Sequence, residues 1–133
     1  EYHVINKFSP FHLNKATLIK YNINKEKLIK CANLIKGEKD FSSFCKASAE
    51  VKNKNCNVLE SYWEFSSSKY IYHIKANRFL QHMVRLLVGS MFEVARNKIS
   101  LNQFEKLLNN NESLTSAVRA PADGLYLTKV LYD

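Results

Sequence analysis

A chain of 133 residues with 46% apolar and 24% charged side chains has the size and composition of one globular domain able to bury a core. No apolar run approaches the ~18 residues of a membrane span; the densest stretch, Met83 to Met91, is broken by Arg85 and Gly89. A formal net charge of +8 suits a polyanion partner such as RNA or DNA, although sixteen of the twenty cations are lysine and Asn109, Asn110 and Asn111 run together, a bias that AT-rich codon usage produces as well.

The opening residues Glu1 to Lys7 have no hydrophobic stretch after a basic start, so they do not read as a signal peptide. Without an initiator methionine the chain reads as a piece of a longer protein. Three cysteines, Cys31, Cys45 and Cys56, make an odd count with no CxxC pair. They read as reduced thiols in a cytoplasmic protein, and their spacing with the histidines matches none of the usual zinc patterns.

In chain order, Tyr2 to Asn6 alternates and predicts the end of a strand, which Pro10 breaks; Ala16 to Tyr21 predicts another short strand. Asn24 is a good N-cap for a helix through Lys36 with Leu28, Ala32 and Ile35 on one face, closed by Gly37 at the C′ position. Val58 to Phe65 predicts a strand with Leu59, Trp63 and Phe65 on one side. Ser66 to Ser68 make the turn, and Tyr70 to Ala76 return with Tyr70, Tyr72, Ile74 and Ala76 on one face.

Arg78 to Ala95 is apolar almost all round and predicts a buried helix. Ser100 with Gln103 makes a capping box for a further helix that turns Leu101, Phe104 and Leu108 inward. Leu125 to Tyr132 predicts a final strand. Helices and antiparallel hairpins in mixed order predict an α+β fold with an antiparallel sheet packed with helices.

Within the buried helix, Arg78, His82, Arg85 and Gly89 follow at spacings of four, three and four, on one stripe. Cations on an apolar helix are costly unless they face water, a carboxylate or a bound anion. Residue types alone leave open a solvated strip with a structural salt bridge at Arg85, or a functional site. Gly89 costs about 1 kcal/mol in a helix but permits close approach of a neighbouring backbone.

Three segments carry a family resemblance. Ala76 to Gly89, through Phe79-Leu80 and Met83-Val84-Arg85, resembles the A-x-x-F-L-x-x-M-V-R-x-x-V-G segment of the tRNA pseudouridine synthase A (TruA) family. Ala120-Pro121-Ala122-Asp123-Gly124-Leu125-Tyr126-Leu127 resembles its A-P-A-x-G-L-Y-L strand, and Gly37 to Phe44 resembles its G-E-x-D-F-S-x-F segment. The motifs fall in the family's order and the resemblance covers the whole chain. Departures fall in loops: Val94-Ala95-Arg96-Asn97 stands where the family often has Val-Gly-x-Gly, Glu112 to Ala117 replaces Arg-x-x-Ala-Gly, and Cys56 stands where an arginine is frequent.

The resemblance implies the C-terminal half of a pseudouridine synthase fold, residues 1–133, without the N-terminal half that carries the nucleophilic aspartate in a Gly-Arg-Thr-Asp segment. It implies conversion of uridine to pseudouridine in the anticodon stem-loop of tRNA, no metal or organic cofactor, and a homodimer at full length. Arg85 matches the arginine that pairs with the catalytic aspartate, and Leu125 an apolar residue lining the uracil slot. Arg78 and His82, beside Arg85 in the motif, are substrate-binding candidates. Tyr2 enters only as a strand residue. Asp40 and Asp123 read as turn or cap acids, and Tyr62, Trp63, Tyr70 and Tyr72 as core before base-stacking residues. The spacing of His73 and His82 demands no acid–base role. A non-catalytic RNA-binding module of the same fold remains the alternative to the isomerase half-site. A thiol enzyme built on Cys45 or Cys56 lacks a histidine partner.

Overall fold

A computed structural model describes residues 1–5, 17–18, 23–46, 52–67, 69–110 and 116–121. Its strands are β1 (Tyr2–Ile5), β2 (Thr17–Leu18), β3 (Gly37–Asp40), β4 (Asn55–Phe65) and β5 (Lys69–Ala76). Its helices are α1 (Lys25–Ile35), α2 (Met83–Ala95) and α3 (Leu101–Leu108), with a 3₁₀ turn at Ser42–Phe44. One sheet runs in the order β2-β1-β5-β4-β3. Four strands pair antiparallel and β2 joins β1 in parallel at the edge. This is the α+β arrangement that the sequence predicts. Among the described residues no helix is long and apolar enough to cross a membrane.

Local chemistry explains most boundaries. Asn24 caps α1 by accepting from the Lys27 amide, and Leu28, Cys31, Ala32 and Ile35 are its buried face. Gly37, at φ +107°, stops the helix, a conformation that costs glycine little. It passes at once into β3, a strand the sequence reading did not foresee. The capping box of Ser100 and Gln103 starts α3, which buries Phe104, Leu107 and Leu108.

The hairpin forms, with one correction. Leu59 is 49% exposed, not inward. The pairing of β4 with β5 slips between Val58 and Glu60, and such a bulge reverses the in–out alternation. The inward positions are therefore Cys56 and Val58 before it, and Ser61, Trp63 and Phe65 after it. Facing them from β5 are Tyr70 and Tyr72, with Ile74 and Ala76 partly buried. Trp63, Tyr70 and Tyr72 are core, as expected, while Tyr62 is exposed and stacks on His73 at 4.7 Å. Of the strand predicted over Ala16–Tyr21 only Thr17–Leu18 is described, and the predicted strand Leu125–Tyr132 lies outside the described residues.

The second correction concerns α2, which begins at Met83 rather than Arg78. Tertiary hydrogen bonds hold the preceding residues in another path. The Asn77 side chain accepts from the Asn57 amide at 2.8 Å, the Asn77 amide donates to the Asn57 carbonyl, and the Lys46 amide donates to the Gln81 carbonyl at 3.0 Å. His82 then turns the chain at φ 66°, and its carbonyl accepts from the Leu86 amide to open the helix. Phe79, expected inside, is 41% exposed.

Two buried serines organise the interior. Ser61 donates to the Ala32 carbonyl at 2.8 Å and so accepts from the Tyr72 hydroxyl at 2.6 Å, tying β4 to α1 and β5. Ser90, wholly buried in α2, accepts from the Val118 amide at 3.1 Å. Beside it Gly89 lets the 116–121 segment lie against the helix, as the sequence reading allowed. A Cβ on Gly89 would stand 2.0 Å from the Val118 carbonyl oxygen and 2.8 Å from the Ala120 nitrogen.

These contacts set two expectations for urea denaturation. Ser61→Ala strands the fully buried Tyr72 hydroxyl and is expected to cost about 1–3 kcal/mol; Tyr72→Phe leaves Ser61 its bond to Ala32 and costs less, about 1 kcal/mol. Equal losses would mean that the chain of bonds is not ordered as described. Gly89→Ala pushes the 116–121 backbone off the helix and is expected to cost about 1–3 kcal/mol, where an exposed helical Gly→Ala change would gain about 1 kcal/mol.

Candidate functional site

The segment laid across α2 brings the Arg85 side chain into a defined environment. Its guanidinium Nε donates to the Ala120 carbonyl at 2.8 Å. In return the Ala120 amide donates to the Arg85 carbonyl at 2.9 Å. Arg85 is half-buried, and among the described residues no carboxylate pairs with it. The two terminal guanidinium nitrogens have no protein partner among those residues. A planar, permanently charged fork held by its inner nitrogen in this way is set to receive a carboxylate or another anion by two parallel bonds.

His82, at the start of α2, lies next to this arginine. Its Nδ1 is 3.3 Å from Nη1 of Arg119. Partial desolvation first, then the charges of Arg119, Arg85 and Lys46, push its pKa below the ordinary imidazole value. The ring is therefore neutral at pH 7, and with Nδ1 accepting from Arg119 it carries its proton on Nε2. Two arginines and a lysine thus surround one neutral imidazole at the N-terminus of a thirteen-residue helix, where the helix dipole adds to the positive potential.

Arg78 does not belong to this cluster. Its Nη1 donates to the Asn53 carbonyl at 2.9 Å. The predicted stripe of Arg78, His82, Arg85 and Gly89 required one continuous helix, and only Arg85 and Gly89 lie on α2. His82 still feels the charge of Arg85, from the turn before α2 rather than from a helical position. Leu125 lies outside the described residues. So do Asp123 and most of the Ala120–Leu127 motif.

Sequence reasoning missed Lys46, Arg119, Ser90 and Tyr2. Arg119 and Lys46 sit on irregular segments, so no periodicity points to them. Ser90 had a signal, as a small polar residue inside an apolar helical run. Tyr2 is more than a strand residue: it is wholly buried and its hydroxyl donates to the Pro121 carbonyl at 2.5 Å.

The remaining candidates resolve simply. Asp40 accepts from the Ser42 amide at 2.9 Å and from the Ser42 hydroxyl, the expected role of a turn acid. His73 pairs with Glu64 at 2.8 Å and with Glu1 at 3.3 Å on the outer sheet face. Burial pushes the Cys31 thiol up to about 12 and raises Cys56 as well, against a smaller opposing effect of Arg78. Neither thiol is activated as a nucleophile. Among the described residues no three His, Cys, Asp or Glu side chains gather so as to hold a metal ion.

Comparison with known proteins places the chain in a family. The family described as tRNA pseudouridine synthase matches residues 31–133. The tRNA pseudouridine synthase A of Azobacteroides pseudotrichonymphae is 30% identical over 132 residues, covering 99% of this chain and 53% of the relative. That of Dictyoglomus thermophilum is 41% identical over 110 residues, covering 83% of this chain and 44% of the relative. That of Porphyromonas gingivalis is 30% identical over 133 residues, covering 98% and 53%. The chain spans about half the length of the curated relatives it matches. With the family matched over most of its length, and with Arg85, Gly89 and Ala120 meeting at one place in the fold, the chain belongs to the tRNA pseudouridine synthase family, of the A (TruA) type.

Proposed function

We propose that this chain is the C-terminal, arginine-bearing half of a tRNA pseudouridine synthase that isomerises uridine in the anticodon stem-loop. A nucleophilic aspartate comes from an N-terminal domain of the same protein. The single observation that carries this reading is Arg85: half-buried, held through Nε by Ala120, with no acid of its own among the described residues. A fork so placed keeps an incoming carboxylate ionised and aims it.

In the proposed reaction the C1′–N1 glycosidic bond breaks, the uracil turns, and C1′ joins C5; the C5 proton leaves to water and N1, freed from the sugar, takes one up. Atoms and electrons balance within the nucleotide, so no redox partner or cofactor is called for. The target base must first leave its stack, at a cost of a few kcal/mol. Phosphate contacts offset that cost. Lys46, Arg119 and the neutral His82 form one such contact region beside Arg85. Arg78, tethered to Asn53, forms a separate one. Leu125 lines the slot for the uracil. The same reading makes the full-length protein a cytoplasmic homodimer.

In the full-length protein, Arg85→Lys should keep the fold and lower kcat about 100-fold or more, because an ammonium cannot reproduce two parallel bonds. Tritium release from 5-tritiated uridine in tRNA measures this, and the present chain alone should release none. Near-normal turnover of Arg85→Lys would refute the catalytic assignment. tRNA affinity of this chain should fall steeply, at least tenfold between about 50 and 200 mM salt, with little preference for sequence. A flat salt profile in a filter-binding titration would count against a phosphate-led footprint.

A further inference from the structure

An arginine side chain reaches a reacting group through several rotatable bonds, so its fork must be held within roughly 0.5 Å of its working place by its neighbours. For Arg85 that neighbour is the Ala120 carbonyl, and Ala120 lies on a segment without helix or strand. Beyond the bond from the Ala120 amide to the Arg85 carbonyl, the segment is fixed to the rest of the fold at three levels. Its backbone rests on Gly89. The Val118 amide donates to the buried hydroxyl of Ser90. The Pro121 carbonyl accepts from the buried hydroxyl of Tyr2, a residue of β1 nearly the whole chain away. The last two bonds flank Ala120 on either side in sequence.

We propose that Ser90 and Tyr2 are positioning residues for Arg85, acting through the Ala120 carbonyl. The inference rests on the reading of Arg85 given above and adds to it where the alignment comes from: one bond from within α2, and one from β1. Ser90 reaches the segment five residues along the helix from Arg85, about one and a half turns, so the distance between anchor and fork is set by the helix itself. Tyr2 reaches it from β1, an interior strand whose pairing with β5 sets Tyr2 opposite Tyr72. Neither hydroxyl touches the substrate in this account.

Ser90→Ala and Tyr2→Phe test it, since each removes a hydroxyl and leaves the packing atoms. In the full-length protein each variant should lower kcat about tenfold with KM for tRNA unchanged, as expected for a reacting group displaced by a fraction of an ångström. In this chain, the Arg85 Nε–H signal in nitrogen-edited NMR should exchange with water at least several-fold faster in each variant, while the amides inside α2 keep their protection. A purely structural role would instead lower Tm and α2 protection together and leave kcat intact below the melting range. Wild-type Nε–H exchange together with wild-type kcat in both variants would overturn the proposal. If Arg85→Lys abolishes turnover while Ser90→Ala and Tyr2→Phe do not alter it, the positioning role alone fails. If Arg85→Lys is itself fully active, the reading beneath it fails too.

Discussion

A polypeptide backbone can be laid directly on an α-helix only where the helix presents no side chain, and Gly89 is where α2 does so. The glycine weakens the helix by about 1 kcal/mol in isolation, yet it is what brings residues 118–120 within hydrogen-bonding distance of α2. That distance allows Ser90 to satisfy the Val118 amide and the Arg85 carbonyl to satisfy the Ala120 amide. The Ala120 carbonyl, turned back toward the helix, then takes the Arg85 Nε–H. A bulkier residue at position 89 would separate all of these partners at once, which makes this approach the constraint on which the candidate site depends.

Features written in short-range chemistry were legible in the sequence. The Asn24 cap, the Ser100–Gln103 box and the Gly37 stop each depend on residues within three or four positions, and each forms as read. The hairpin was legible from its alternation and its serine turn. Gly89 was legible in kind, as a place for a neighbouring backbone, but not in its partner, which lies about thirty residues further on.

Features decided by distant contacts were not legible. Arg78 to His82 holds Phe79 and Leu80 and no helix breaker, so it reads as a continuation of α2 backwards, but bonds of Asn77, Arg78 and Gln81 with Asn57, Asn53 and Lys46 hold it in another path. Periodicity cannot report bonds made with residues twenty to thirty-five positions away, so the four-residue stripe was an artefact of extending the helix. Leu59 was misplaced for a related reason. A bulge between Val58 and Glu60 reverses the alternation, and no residue type announces it. The family motif singled out Arg85 by resemblance, without reference to those contacts.

Cations at the start of α2 divide by their surroundings into two kinds. Lys46 and Arg119 are exposed, where solvent and salt screen a charge and where a phosphate is held loosely and exchanged easily. Arg85 is half-buried with one guanidinium nitrogen already committed, so its fork has lost most of its freedom before any partner arrives. In the proposed function, charge of the first kind would concentrate a polyanion near the site, whatever its sequence, and charge of the second, fixed in direction, would discriminate between a carboxylate at the right angle and one that is merely near. Between them sits His82, kept neutral by partial desolvation and the cations around it. Its neutrality removes a fourth repelling charge from the cluster. The helix can therefore carry its arginine, and the turn its histidine, within reach of Arg119 without an acid to balance them among the described residues.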